Sequence, residues 1–226
     1  LDFGAFAIYD LALRHPERVI AVIGLENPAA PHNPEEPPLT EYRRMGEQHF
    51  MHIEYFRVPP RADRELAAEP RRFLHKVYHT LSAAGYYFDV FKYPPDAAYI
   101  EAMAEPPPLP WPWLSELELE YFVSEYSRSG FTGGLNWYRS MDMKWEQRRP
   151  FEGVQSDVPA YFLGSEHDVD LEGFHGDDPI SLMRAIFPDL RQVEMIPGAG
   201  HMVQLEASDE VNRILLQFLE DIEQRS

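Results

Sequence analysis

Apolar residues at Ala5, Ile8, Leu11 and Ala12 recur near helical spacing and predict a helix over 4–15. His15-Pro16 ends it, because a residue before proline is pushed out of the α region. The next run, Val19–Leu25 (VIAVIGL), has strand length and β-branched content, as a strand buried on both faces of a parallel sheet would. From about 28 to 113 the pattern changes: proline clusters (NPAAPHNPEEPP, RVPP, EPPPLPWPW) punctuate segments rich in His, Tyr and Phe. Helices are predicted in this middle block at 39–50 and 63–83, with two more at 115–127 and 133–139. Beyond 156 the sheet pattern returns with strands at Val158–Leu163 and Arg191–Ile196, separated by a helix at Ile180–Phe187. A last amphipathic helix, 207–223, carries Val211, Leu215, Phe218 and Ile222 on one stripe.

This order of elements predicts an α/β fold with a parallel sheet and one inserted helical block. The expected division is a core segment at 1–30, a helical lid at 31–150 and a second core segment at 151–226. Three strands would leave much apolar sheet edge open. The expectation is therefore that further strands precede Leu1, which is not an initiator methionine.

Composition narrows the classes of function. Hydrophobic residues make up 44% of the 226 positions and aromatic ones 13%, enough for a substantial core. With 20 Lys and Arg against 38 Asp and Glu, the formal charge is −18, which argues against nucleic acid or an anionic membrane surface as partner. The chain has no cysteine, which excludes disulfides, thiolate catalysis and zinc–thiolate sites. No apolar run approaches the roughly 20 residues that span a bilayer. The first residues do not read as a signal peptide, and the expected location is cytoplasmic.

Three groups stand where open α/β sheets place their chemistry, at strand ends and helix entrances. Asp2 precedes the first helix. Asp168 sits in GSEHDVD after the second strand, and His201 in PGAGHMVQLE after the third. An acid, a second acid and a histidine in that order match the nucleophile–acid–histidine order of a hydrolase triad. A carboxylate nucleophile would attack a saturated carbon bearing a strained oxygen or a halide and form an ester. A histidine oriented by the second carboxylate would then activate water to hydrolyse it. A serine in the same attack would form an ether, which is a dead end. Each member also has a structural reading: Asp2 as a helix N-cap, Asp168 as a loop acid. His201, with Gly198 and Gly200 before it, implies a tight turn.

The block GFTGGLNWYR at 130–139, followed by MKWE, is similar to the lid helix of the soluble epoxide hydrolases of the α/β-hydrolase superfamily. EYFRVP at 54–59 and DFGA…HPERV at the start also resemble elements of that family, and the resemblance runs over essentially the whole chain. It implies an α/β-hydrolase core with an inserted helical cap and a cofactor-independent, metal-free conversion of an apolar epoxide to a vicinal diol. Asp2 would be the nucleophile, His201 with Asp168 the water-activating pair, and the Phe3 N–H an oxyanion donor. Tyr138 falls at the position of a lid tyrosine that hydrogen-bonds the epoxide oxygen, unless it is merely a lid-core aromatic.

The chain departs from the family pattern in three places. The position of the second lid tyrosine holds His52, with Tyr55 three residues on; His52 can still donate a hydrogen bond, and Tyr55 would serve only if the lid helix were rotated. Glu26 lies 24 residues after Asp2, where one branch of the superfamily carries the acid that orients histidine. It is thus a second candidate beside the favoured Asp168, while Glu166 and Asp170 read as solvated loop acids. The upstream HGxP loop, which gives the family its other oxyanion donor, does not occur in these residues. Two alternatives stay open at this point. One is a haloalkane dehalogenase acting on a halide substrate, against which Phe3 stands, since many such enzymes carry Trp there. The other is a non-catalytic fragment.

Overall fold

The computed structural model describes residues 1–225. They form two compact units, Leu1–His32 together with the chain from Phe151 onward, and Asn33–Pro150.

The first unit is built on a parallel three-stranded sheet in the order β1 (Val22–Leu25), β2 (Ala160–His167), β3 (Leu190–Gly200). Successive β2 residues face opposite sides of a pleated strand. Ala160 and Phe162 join Val22, Tyr9, Met183 and Phe187 in one core, with the helices Phe3–Arg14 and Pro179–Ile186. Tyr161 and Leu163 join Ile196, Ile214 and Phe218 in the other, with the helix Ser208–Arg225. Each fully buried side chain of this size contributes about 1.5–3 kcal/mol.

The sequence pattern misplaces the strand ends. β1 begins only at Val22, because Val19 closes a short 3-10 turn, Pro16–Arg18, and Ile20 is 76% exposed. β2 and β3 run four residues past their apolar cores. The pairing continues from Gly164↔Met195 to His167↔Gly200, and backbone hydrogen bonds are indifferent to the polarity of Ser165, Glu166 and His167. Both strands thereby deliver the next residue, Asp168 or His201, at their C-terminal ends.

A close approach holds the first helix to β1. A Cβ at Gly24 would lie 1.6 Å from Tyr9 Oη, which donates to the Asn27 carbonyl at 3.0 Å. Gly24→Ala should lower stability by about 1–3 kcal/mol through overpacking. Thermal or urea unfolding would read this as a lower midpoint.

The second unit is helical. The predicted helix 39–50 is Pro38–Gly46, and a separate helix, His52–Arg57, follows it. The predicted helix 63–83 breaks into Arg61–Ala68 and Pro70–Leu81, because Pro70 forces Glu69 out of the α region, at φ −133° and ψ 55°. Glu116–Ser129 begins with a capping box in which Ser115 and Glu118 each satisfy the other's backbone N–H, and ends at Gly130, whose φ is 72°. Thr132–Arg139 matches the prediction closely, and Met141–Arg148, which the apolar pattern does not signal, follows it. The core is aromatic, with Phe50, Phe56, Phe73 and Tyr99 packed ring against ring.

Asp63 pins the helix Thr132–Arg139. It accepts from Thr132 Oγ1 at 2.7 Å and from the Arg139 guanidinium, whose Nε donates to the Phe56 carbonyl at 2.9 Å. Arg139 beside Asp63 holds that carboxyl below its usual range. Much of GFTGGLNWYR is thus accounted for physically: a helix stop at Gly130, two anchors on Asp63, and Leu135 buried in the core.

Candidate active site

Asp2 stands at the entrance of the helix Phe3–Arg14 with φ 50° and ψ −137°, a conformation that costs a non-glycine residue about 1–3 kcal/mol. An ordinary N-cap side chain bonds the N–H two or three positions on. Asp2 Oδ1 instead sits 2.5 Å from the N–H of the next residue, Phe3. The other oxygen, Oδ2, is 3.6 Å from Nε2 of His201, and the side chain stays 45% exposed.

His201 follows β3 directly and is 4% exposed. Its Nδ1 lies 2.6 Å from Oδ2 of Asp168. A carboxylate only accepts, so this contact places the proton on Nδ1 and leaves Nε2 facing Asp2. Asp168 is fully buried at the end of β2 and divides its oxygens. Oδ1 accepts from the Leu171 N–H at 2.8 Å, capping the helix Val169–Gly173, and Oδ2 serves His201. Burial opposes a charge on His201. The hydrogen bond to Asp168, the Asp2 carboxylate beside Nε2 and the charge of Asp170 outweigh it and hold the imidazole well above its ordinary range.

Asp170 corrects the sequence reading. Its side chain is 24% exposed, its Oδ2 accepts from Asn27 Nδ2 at 2.7 Å, and the same oxygen is 3.7 Å from His201 Nδ1. Burial pushes its carboxyl up to about 6. Only position i+2 from Asp168, on the first helical turn, hints at this in the sequence. Glu166, by contrast, is a surface acid that accepts from the Gly198 N–H.

Asp168, Asp170 and His201 offer ligand atoms within 4.8 Å of one another. At 2.6 Å, however, the Asp168–His201 contact is a hydrogen bond with a proton between the atoms, shorter than two ligands of one ion would hold.

Glu26 ends β1 in a left-handed conformation, φ 63°, and is fully buried. That backbone turn directs its carboxyl to Ser165, whose N–H and Oγ lie 3.1 and 3.2 Å from Oε2. Of the two candidate acids, the structure brings Asp168 into hydrogen bond with His201 and engages Glu26 with Ser165.

Within the helical unit, His52 opens the helix His52–Arg57 and meets Tyr138 edge to face, with ring centroids 5.7 Å apart. Tyr87 Oη is hydrogen-bonded to His52 Nδ1, a partner no sequence signal announces. Tyr55 is buried and donates its hydroxyl to Glu65, so His52, rather than Tyr55, stands beside Tyr138. Asn136 bonds Arg139, and Trp137 lies under the Lys144 ammonium, 3.6 Å from the ring centroid.

No protein-family model matches the chain. Curated relatives do. Epoxide hydrolase A of Mycobacterium tuberculosis is 34% identical over 226 residues, covering 99% of this chain and 68% of the relative. Epoxide hydrolase 1 of Siraitia grosvenorii is 28% identical over 224 residues, covering 96% and 67%. Among solved structures, epoxide hydrolase A of Mycobacterium thermoresistibile superposes with a TM-score of 0.87 at 36% identity, over 97% of this chain and 67% of that one. Potato epoxide hydrolase I superposes with a TM-score of 0.85 at 28% identity, over 97% and 68%. The chain thus spans about two thirds of each. The parallel sheet with a histidine and two acids at its strand ends, and the likeness in sequence and shape to these enzymes, agree: the chain belongs to the epoxide hydrolase family of α/β-hydrolases.

Proposed function

We propose that the chain opens a small apolar epoxide to a vicinal diol through an ester on Asp2. Asp2 Oδ2 attacks an epoxide carbon, the C–O bond of the ring breaks, and the developing alkoxide takes the phenol proton of Tyr138 while His52 donates a second hydrogen bond to it. A phenol and an imidazole are suited to that charge. His201 then takes a proton from water at Nε2, and the resulting hydroxide attacks Cγ of the ester. The negative charge collects on Oδ1, the atom that already faces the Phe3 N–H. Collapse breaks the Cγ–Oδ2 bond, and the departing alkoxide takes the proton from His201 Nε2 to give the diol. The proton of the carboxyl left on Asp2 returns through solvent to the Tyr138 phenolate, restoring the Asp2 carboxylate. Asp168 holds the ring of His201 and stabilises its charged form. In this reading the helical unit, residues 31–150 of the expected division, serves as the cap that supplies the oxygen donors.

The observation that carries the reading is His201, with Asp168 2.6 Å from Nδ1 and Asp2 3.6 Å from Nε2. A single turnover of a styrene oxide-type epoxide in ¹⁸O-labelled water tests it. The label should enter Asp2 and not the diol; label found only in the diol would exclude a carboxylate ester. Phe at position 138 removes one donor and keeps His52. Tyr138→Phe should lower kcat by about 10²-fold, measured as diol formed under saturating substrate.

Among the described residues no helix is long and apolar enough to cross a membrane.

A further inference from the structure

Glu26 has no part in the proposed chemistry, yet it is fully buried, held at φ 63° and placed one strand from Asp168. Its surroundings can be settled by counting protons. Ser165 Oγ lies 3.2 Å from Glu26 Oε2 and 3.0 Å from the Gly200 carbonyl oxygen, and both contacts fall at hydrogen-bond distance. A serine hydroxyl has one proton to give. Against an ionised Glu26 it can serve one of these acceptors, and the other contact becomes oxygen against oxygen. A proton on Oε2 resolves the conflict: Glu26 donates to Ser165 Oγ while Oε2 still accepts from the Ser165 N–H, and Ser165 Oγ donates to the Gly200 carbonyl. The second oxygen, Oε1, is buried without a partner. A bare oxygen costs far less on a neutral carboxyl than on an anion.

Gly200 immediately precedes His201. We propose that Glu26 is a positioning residue held as a neutral acid, whose proton sets a Glu26→Ser165→Gly200 latch that fixes the backbone carrying His201. It is therefore not the acid that orients the ring. The inference rests on the hydrolase reading for its kinetic consequence but not for the latch itself.

The charged groups facing Glu26 are Asp168 after β2 and His201 after β3. Burial first, then the negative charge of Asp168, pushes the Glu26 carboxyl up to about 9; His201 and the Ser165 hydrogen bonds pull the other way. The neutral form therefore persists through pH 7 and is lost above about 9. Activity should fall along an alkaline limb as ionisation breaks the latch.

Infrared difference spectra of the full chain test the protonation state without any substrate. At pH 8 the wild-type chain should show the carbonyl stretch of a protonated carboxyl that Glu26→Gln lacks, and in the wild type alone this band should bleach with a midpoint near pH 9. Kinetics test the role. Glutamine keeps a neutral donor to Ser165 Oγ and gives up only the acceptor for the Ser165 N–H, so E26Q should retain kcat within about tenfold and lose the alkaline limb. Glu26→Ala, which leaves Ser165 unsatisfied, should cost about 10–100-fold. Asp168→Asn should cost about 10⁴-fold. Absence of the protonated-carboxyl band overturns the latch. So does an E26Q variant as impaired as Asp168→Asn, or one that keeps the wild-type alkaline limb. If no epoxide is turned over by the wild type, the hydrolase reading fails while the infrared result still decides for or against the latch.

Discussion

Glutamine in place of His201 should let the chain open one equivalent of epoxide and then stop. The nucleophile is intact in such a variant, and Oδ1 of Asp2 still faces the Phe3 N–H, so the ester forms. What is lost is the base at Nε2 that would take a proton from water. Steady-state turnover should fall by about 10³–10⁴-fold, and intact-protein mass should rise by the mass of the substrate, with peptide mapping placing the adduct on Asp2. A variant that turns over normally, or that never becomes alkylated, would sink the two-step route. The charge state of His201 gives this step a pH sign. In the free enzyme the imidazole is held well above its usual range partly by the Asp2 carboxylate 3.6 Å from Nε2. Forming the ester removes that carboxylate's charge, so the histidine's proton affinity drops just when a neutral base is needed. Ester hydrolysis in the wild type should therefore slow as pH falls through the His201 titration of the ester, and single-turnover decay of the adduct measures it.

Alanine in place of Asp2 should abolish both steps, with no alkylated protein and a rate lower by about 10⁶-fold. The same substitution should not unfold the chain. Asp2 is strained at φ 50° and its capping bond reaches the adjacent N–H rather than those deeper in the first turn, so the helix should lose little when the side chain goes. Unchanged circular dichroism and melting temperature, with complete loss of diol, is the expected pair of results. A large fall in melting temperature would instead mark Asp2 as a structural cap. The contrast between this position and Gly24, where one methyl group is expected to destabilise, separates residues kept for chemistry from residues kept for packing.

Much of the site can be read from residue order alone. Asp2, Asp168 and His201 stand in triad order, and the proposed carboxylate nucleophile served by a histidine follows from their types. The block at 130–139 predicted a helix, and the helix Thr132–Arg139 lies there with Tyr138 on it. Other features escape the pattern for identifiable reasons. Asp170 reads as a solvated acid because nothing local reveals that Asn27, from the other end of the chain, donates to it. Tyr55 and His52 lie three residues apart on one short helix, and only the contact of Tyr55 with Glu65 assigns them different roles.

By itself the sequence determined the alternation of strand and helix, the helical insertion and the set of groups proposed to carry the reaction. These follow from local periodicity, from proline and from side-chain chemistry. Tertiary structure decided which acid serves His201. Glu26 and Asp168 are both acids at strand ends, equally suited by type. The left-handed backbone at Glu26 engages its carboxyl with Ser165, whereas extended pairing of β2 with β3 sets Asp168 against His201. Partners brought together across 33 residues by strand register, and a backbone turn of one residue, leave no periodic trace in the order of the amino acids.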